Sequence, residues 1–331
     1  MAYKLLSYIF RHQLLIVLLI VALGWTIVQL RDIITSLFIS YIIMASLLPF
    51  VRFFKRKGLP QIISVLIPYL TTILILFILI FPLIPFALQQ VQSLLANLPN
   101  FVDKAGRTLG FSIDANQIQS AVTSVATNLG KNAFAVTTAV FGGVFSILTI
   151  LIVAFYLLLY HDKLKRTIAD FFPRKDRDEI FDVLSQVDDK LGRWFRGQLT
   201  LCLVIGVMTF IALTILGLPY ALPLAVMAGI LEAIPTLGPT LSAVPAVIVA
   251  LTVSPSLALL VVLTYIIIQT LENNLIVPKI MQHAVGLNPV LIILGVMVGA
   301  NLMGVIGALL SIPFFSFLIV LYTSLDKKFD K

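Results

Sequence analysis

Five stretches of this chain, 62–88, 136–160, 198–231, 233–271 and 284–325, contain no lysine, arginine, aspartate or glutamate. A helical crossing of a bilayer needs about 20 consecutive apolar residues, so each stretch is long enough to cross, and the longest must tilt, break or hold more than one crossing. Only 11% of the 331 residues are charged and 60% are hydrophobic, whereas a soluble domain carries roughly 25% charged residues. Backbone groups in lipid must be satisfied within the segment, and the alternation of barrel strands is absent, so the spans are expected to be helices. The expected fold class is an all-α polytopic membrane protein with about eight transmembrane segments, broken or re-entrant in its C-terminal third, forming a single membrane domain over 1–331.

The chain divides by composition. Residues 1–88 hold three spans, at about 13–30, 33–51 and 62–88. Lys4 and Arg11 precede the first apolar run, and Ala22 and Gly24 have the small-residue spacing of a signal cleavage site; the run nevertheless continues to Val28 and a second follows, which favours a retained span. Residues 89–135 carry the pattern L-Q-Q-V-Q-S-L-L-A-N-L, punctuated by Asn100 and Gly110, and are expected to form external amphipathic helices. Residues 136–160 form another span. Residues 161–197 read as cytoplasmic amphipathic helices interrupted at Pro173, with Ile180, Phe181, Leu184, Val187, Leu191, Trp194 and Phe195 at helical spacing. Trp194 and Phe195 suit a membrane interface. Residues 198–325 form the core with broken helices.

Most of the 23 basic residues lie in 1–12, in the loop of Arg52, Lys55, Arg56 and Lys57, in 161–197, and at the C-terminus. Cytoplasmic loops carry such an excess, so both termini are expected in the cytoplasm. The net charge of +8 then belongs with anionic lipid rather than nucleic acid, for which no motif is present.

The last third is dense in helix breakers. I-P-T-L-G-P at 234–239 supplies Pro235 and Pro239, followed by Pro245, Pro255, Pro278 and Pro289, then Gly295, Gly299, Gly304 and Gly307 before Pro313. Proline removes a helix hydrogen bond and glycine weakens a helix. Broken helices survive in membranes where the freed backbone lines a cavity or packs in protein. Two drawings fit: hairpins that dip in and return at about 222–252 and 287–324 around a full span at 256–273, or single long kinked crossings. A short echo, G-P-T-L-S-A-V-P at 238–245 against G-A-L-L-S-I-P at 307–313, fits the paired interrupted segments that mark transporter sites.

Only two acidic residues escape the loops and flanks, Glu232 and Glu272. A carboxylate at membrane depth is costly and normally faces protein or water on a pathway, although either could also end a helix near headgroups. Glu232 precedes the break that contains Pro235, Thr236, Gly238 and Pro239. Around Glu272 gather Gln269, Thr270, Asn273, Asn274 and Lys279. Their amides could bind a polyhydroxylated solute or a cation, or merely cap a broken helix, and Lys279 could neutralise Glu272. Asn301 is a further isolated polar residue, among glycines that permit close helix packing. Pro235, Pro239, Pro245, Pro278, Gly304, Gly307 and Pro313 are the candidate hinges. The one cysteine, Cys202, precludes an intrachain disulfide, and the three histidines lack ligand spacing, so no metal or cofactor is expected. Phosphate-loop, G-x-S-x-G and H-E-x-x-H signatures are missing, which argues against an enzyme.

The runs G-I-L-E-A-I-P-T-L-G-P-T-L-S-A-V-P, Q-T-L-E-N-N-L-I-V-P-K-I-M and V-G-L-N-P-V-L-I-I-L-G-V-M-V-G-A-N-L-M-G-V-I-G-A-L-L-S-I-P, with F-Y-L-L-L-Y-H-D and G-R-W-F-R-G-Q-L upstream, resemble the autoinducer-2 exporter family. The resemblance covers nearly the whole chain and is strongest over 190–315. It implies a multi-span helical protein of the bacterial inner membrane, assembled as a homo-oligomer with pentamers known, that exports the quorum-sensing furanone. Some relatives are described as sodium or lithium/proton antiporters. The expectation is therefore a secondary transporter or facilitator exporting a small polar molecule, with cation/proton antiport as the alternative. A non-transporting scaffold fits less well, having no reason to bury two carboxylates among broken helices. Orientation is testable directly. A cysteine at Asn116 should react with an impermeant thiol reagent from outside, and one at Arg174 should not; labelling of both from one side refutes the topology.

Overall fold

The computed structural model describes residues 13–80, 133–234, 237–281 and 289–329. The expected external helices over 89–135 therefore lie almost wholly outside the described residues. Among the described residues every regular element is helical: α1 (Gln13–Gln29), α2 (Arg31–Arg56), α3 (Gln61–Ile80), α4 (Ala133–Leu159), α5 (His161–Asp170), α6 (Arg177–Ile215), α7 (Ala221–Leu231), α8 (Leu237–Val253), α9 (Pro255–Leu271), α10 (Val277–Met281) and α11 (Pro289–Phe329). Four helical stretches are long and apolar enough to cross a membrane, Arg31–Arg56, Arg174–Ile215, Pro255–Met281 and Val290–Ser324, or five if α4 and α5, bent by 74°, count as one. Shorter apolar helices lie at Gln61–Ile75, Ala221–Leu231 and Gly238–Val253.

Large apolar side chains face outward as well as inward, and small hydroxylated ones are buried. Leu203, Ile215, Leu259, Ile267, Val298 and Val305 are exposed, while Ser40, Ser64, Ser242, Ser311, Ser316 and Thr209 are buried. Lipid solvates apolar side chains as well as a protein core does, so helices meet through small and hydroxylated residues. Gly192 shows the rule, since a Cβ there would strike the backbone of Ala45.

The helix α6 organises the fold. The sequence divides its length into an amphipathic part and a span, but it runs unbroken for 39 residues, because no proline or adverse turn residue interrupts it after Pro173. Its first half packs with α2, α10 and α11 around Ile42, Leu191, Trp194, Met281 and Ile312. The end of α6 packs with α7, α8 and α9 around Leu213, Leu224, Val249 and Val261. A third core joins α2, α3 and α4 through Met44, Val65 and Leu158. Trp194 corrects an expectation: it is not an interfacial anchor but 1% exposed, because α10 and α11 cover the face that its helix turns inward. Phe195 is half-buried against the same core.

Both breaker-rich regions of the last third fold back on themselves. In α11 the helical path fails at Met303 and Gly304, and Gly304 takes φ 62° and ψ −143°, a conformation open in practice to glycine alone. The two arms then touch: a Cβ on Gly307 would meet the backbone of Gly299, and one on Gly295 would meet the ring of Phe315. Likewise α8 starts against the end of α7, with Gly238 on the backbone of Leu231 and Glu232. The sequence echo has matching local geometry. Ser242 donates to the Pro239 carbonyl at 3.0 Å and Ser311 to the Ala308 carbonyl at 2.7 Å, both buried.

A polar knot that the sequence did not single out fastens α5 and α6 to α2. The Asp188 side chain, fully buried, accepts from Tyr41 at 2.5 Å and from Lys165 at 3.2 Å, and lies 2.8 Å from Nε2 of His161. His161 Nδ1 lies 3.0 Å from Asp162, which also meets Lys55 at 3.2 Å. Removing one member of a buried charged group strands the others. Asp188→Ala should therefore cost about 3–5 kcal/mol in reversible unfolding in micelles, and pairing Asp188→Leu with Lys165→Met should recover only the part due to the stranded ammonium, since Tyr41 and His161 still lose their partner.

Candidate functional site

Three helix ends converge beside the middle of α6. The helix α7 runs back along α6, close enough that a Cβ on Gly229 would sit 2.8 Å from the Cys202 carbonyl. It ends at Glu232, whose backbone N–H still bonds Ala228. After Ala233 and Ile234 the chain passes through Pro235 and Thr236, which lie outside the described residues, and resumes in α8. Proline disfavours helix in the residue before it, so the break is written into I-P-T-L-G-P. Gly238 and Pro239 are buried at the start of α8.

The other carboxyl arrives on α9. At its end the helix widens into a π turn, Glu272–Ile276, in which the Val277 N–H reaches the Glu272 carbonyl. Pro278 explains the widening in part: it has no N–H to offer the Asn274 carbonyl one turn earlier. Single π turns recur at functional sites. Here the turn decides which side chains point inward. Glu272 is 3% exposed and Gln269, one turn before it, is half-buried, while Thr270, Asn273 and Asn274 are exposed. Asn274 donates to the Thr270 carbonyl at 2.8 Å.

Glu232 is 1% exposed, and its carboxyl lies beside that of Glu272. A proton on either carboxyl would let it donate to the other. Neither Glu232 Oε2 nor Glu272 Oε2 has a hydrogen-bond partner in the protein. Helix α6 supplies the next contacts. Gln198 donates from Nε2 to the Glu232 backbone carbonyl at 2.8 Å and also touches the Cys202 thiol. Nothing in the sequence pattern singles out Gln198, because it stands at the edge of an apolar stretch, where an amide looks like a helix boundary. The available signal was its position, one residue after the buried Gly197 and in phase with Trp194 and Leu201.

The remaining candidates stand apart from the pair. Lys279 is exposed and makes no ion pair with Glu272 among the described residues. The extra residue of the π turn rotates everything after it by about 100°, which carries Lys279 off the face of Glu272. Asn301 is exposed on the first arm of α11, close to the Met303–Gly304 bend. Of the hinge residues, Pro245 lies half-buried inside α8, Pro278 is exposed after the π turn, and Gly307 and Pro313 are buried in the returning arm of α11. No group of three or more histidine, cysteine or acidic side chains suited to a metal occurs among the described residues.

Apolar exteriors, interrupted helices and a carboxyl pair enclosed at their junction define a polytopic helical membrane protein. The chain belongs to the AI-2E transporter family, whose model matches residues 14–327. It is similar to "Putative transport protein YrrI" of Bacillus subtilis, 30% identical over 85% of this chain and 82% of the relative. It is 30% identical to "Putative transport protein YueF" of the same organism over 81% of this chain and 77% of the relative. "Putative permease PerM" of Escherichia coli is 26% identical over 72% of each chain.

Gly238 holds the break closed, because a Cβ there would collide with the Leu231 carbonyl. Gly238→Ala should therefore open the junction and raise the rate at which Cys202, the only thiol in the chain, reacts with a membrane-permeant maleimide severalfold. An unchanged labelling rate in mass spectrometry would show that the junction does not depend on this contact.

Proposed function

We propose that this protein is a secondary transporter or facilitator that exports a small polar molecule of the autoinducer-2 type across the bacterial cytoplasmic membrane. The observation that carries the reading is the Glu232–Glu272 pair, enclosed where α7 breaks and α9 widens. Carboxyls buried in a membrane protein are costly unless they serve a pathway, and this pair offers oxygens that accept hydroxyl groups. Family membership supplies transport as the activity. The substrate follows the family resemblance.

The topology proposed with it has about eight membrane-inserted segments and both termini in the cytoplasm. In it α7–α8 and the folded-back α11 are re-entrant hairpins entering from opposite faces, with α9 crossing between them. The assembly proposed is a homo-oligomer, pentameric by resemblance, in contact with lipid. Gly238 and Pro239, at the start of α8, belong in this reading to a hinge, to which Pro235 and Thr236 are assigned from the sequence alone. Gln269 lines the inner face of α9. Asn273, Asn274, Lys279 and Asn301, being exposed on the single chain, belong in this reading to surfaces that a neighbouring copy or an aqueous vestibule covers.

A second reading, sodium or lithium/proton antiport, is favoured by the same pair. Exchange of one proton on the pair for a monovalent cation would leave the net charge of the site unchanged. Proteoliposome flux separates the two. Glu272→Gln keeps a donor and an acceptor toward Glu232, so autoinducer-2 flux should persist within severalfold, while Glu272→Leu should abolish it. Loss of solute flux in the Gln variant, together with loss of cation-driven proton flux measured by a trapped pH dye, favours antiport. If neither solute nor cation moves in the unmodified protein, transport through this site is wrong.

A further inference from the structure

Gln198 is 5% exposed, on a helix that has just passed its last charged residue, Arg196. Its amide group is used on one side only. The Nε2 donates to the carbonyl of Glu232 at 2.8 Å, a carbonyl freed by the end of α7. The Oε1, fully buried, meets no donor. Buried amide oxygens are nearly always satisfied by protein, water or ligand. The same amide therefore grips the break and presents an acceptor next to a glutamate pair whose Oε2 atoms also lack protein donors. The contributions come from α6, the α7–α8 break and the π turn after α9, three elements that a change at the junction would move relative to one another.

All three oxygens are acceptors. A solute that pairs with them has to bring donors, and an anion, bringing only acceptors and a charge repelled by the carboxyls, is turned away. Two donors within the protein compete for Gln198 Oε1: the Cys202 thiol, a weak donor that touches Gln198, and the Trp194 indole. Trp194 Nε1, one turn earlier on α6, is a buried donor without an acceptor; it does not bond Gln198 in this structure, and the variant Trp194→Phe tests whether it does so in solution.

We propose that Gln198 is a solute-contacting, specificity-determining residue of this site, and that with Glu232 and Glu272 it takes a neutral molecule bearing hydroxyl donors and rejects anions. The inference rests on the transport reading above and adds a residue and a substrate class to it. The test is initial-rate flux of autoinducer-2 in proteoliposomes. The competitors are an analogue lacking one hydroxyl and lactate, and the variants are Gln198→Met and Trp194→Phe. Folding is checked by gel filtration and by circular dichroism. In the unmodified protein lactate should fail to compete and the deoxy analogue should compete weakly. Gln198→Met should raise the KM for autoinducer-2 about tenfold, the worth of one hydrogen bond, and narrow the preference over the deoxy analogue. Trp194→Phe should leave both unchanged. A folded Gln198→Met with unaltered KM and unaltered discrimination overturns the role of Gln198 while transport stands. That role is overturned equally if Trp194→Phe reproduces the effect, or if Gln198→Met lowers the maximal rate alone, since Gln198 would then be a brace. Effective competition by lactate overturns the substrate class. No flux of autoinducer-2 in the unmodified protein overturns the parent reading and this one with it.

Discussion

Two buried carboxyl groups, those of Glu232 and Glu272, lie side by side inside a bundle whose outer surface is built for lipid. That contact sets the terms for the surrounding structure. It joins two helices at the places where one stops and the other changes pitch. It also demands cover on every side, because a carboxyl pair left facing hydrocarbon would be far more costly than one packed in protein. The break at 232–238, the π turn at Glu272–Ile276 and the long side of α6 each meet part of that demand.

The glycines and the single amide of α6 follow from it. Close approach of α7 to α6 at Gly206 and Gly229, and of α8 to the end of α7 at Gly238, brings backbone rather than side chains to the junction. The free carbonyl at the end of α7 then needs a donor, and Gln198 supplies it. The second folded-back element, α11, repeats the construction with Gly299, Gly307 and Ser311 but carries no carboxyl at its bend. Its own isolated polar residue, Asn301, stays on the outside. Farther toward the charged half of α6, the Asp188 knot fixes α5 and α6 on α2. The junction is thus held by a rigid frame on one side and by interrupted helices on the other.

Much of this was legible from residue types alone. Uncharged stretches of that length can be accommodated only as membrane helices, and the two glutamates stood out because everything near them was apolar. The proline and glycine signals at 234–239 and 303–307 marked real interruptions, because those residues act on the backbone locally. What could not be read were facts of rotation and partnership. The amide cluster at 269–274 looked like one site, yet consecutive helix positions face directions about 100° apart, so Glu272 points inward while Asn273 and Asn274 do not. The pairing of Glu272 with Lys279 failed for the same kind of reason, a π turn that hydropathy does not reveal. Trp194 looked like an interfacial anchor because its covering helices come from far along the chain.

Residue chemistry, read along the chain, was enough to establish a helical membrane protein, the places where its helices break, and the two acidic residues set apart from the rest. Those properties depend on side-chain transfer energies and on local backbone chemistry. Packing in three dimensions was needed to bring the two glutamates face to face, to set Gln198 and Cys202 beside them, and to gather Asp188, His161, Lys165 and Tyr41 into a buried knot. Those contacts join residues many turns apart, and they arise from the packing of small residues between helices, whose geometry no local pattern records.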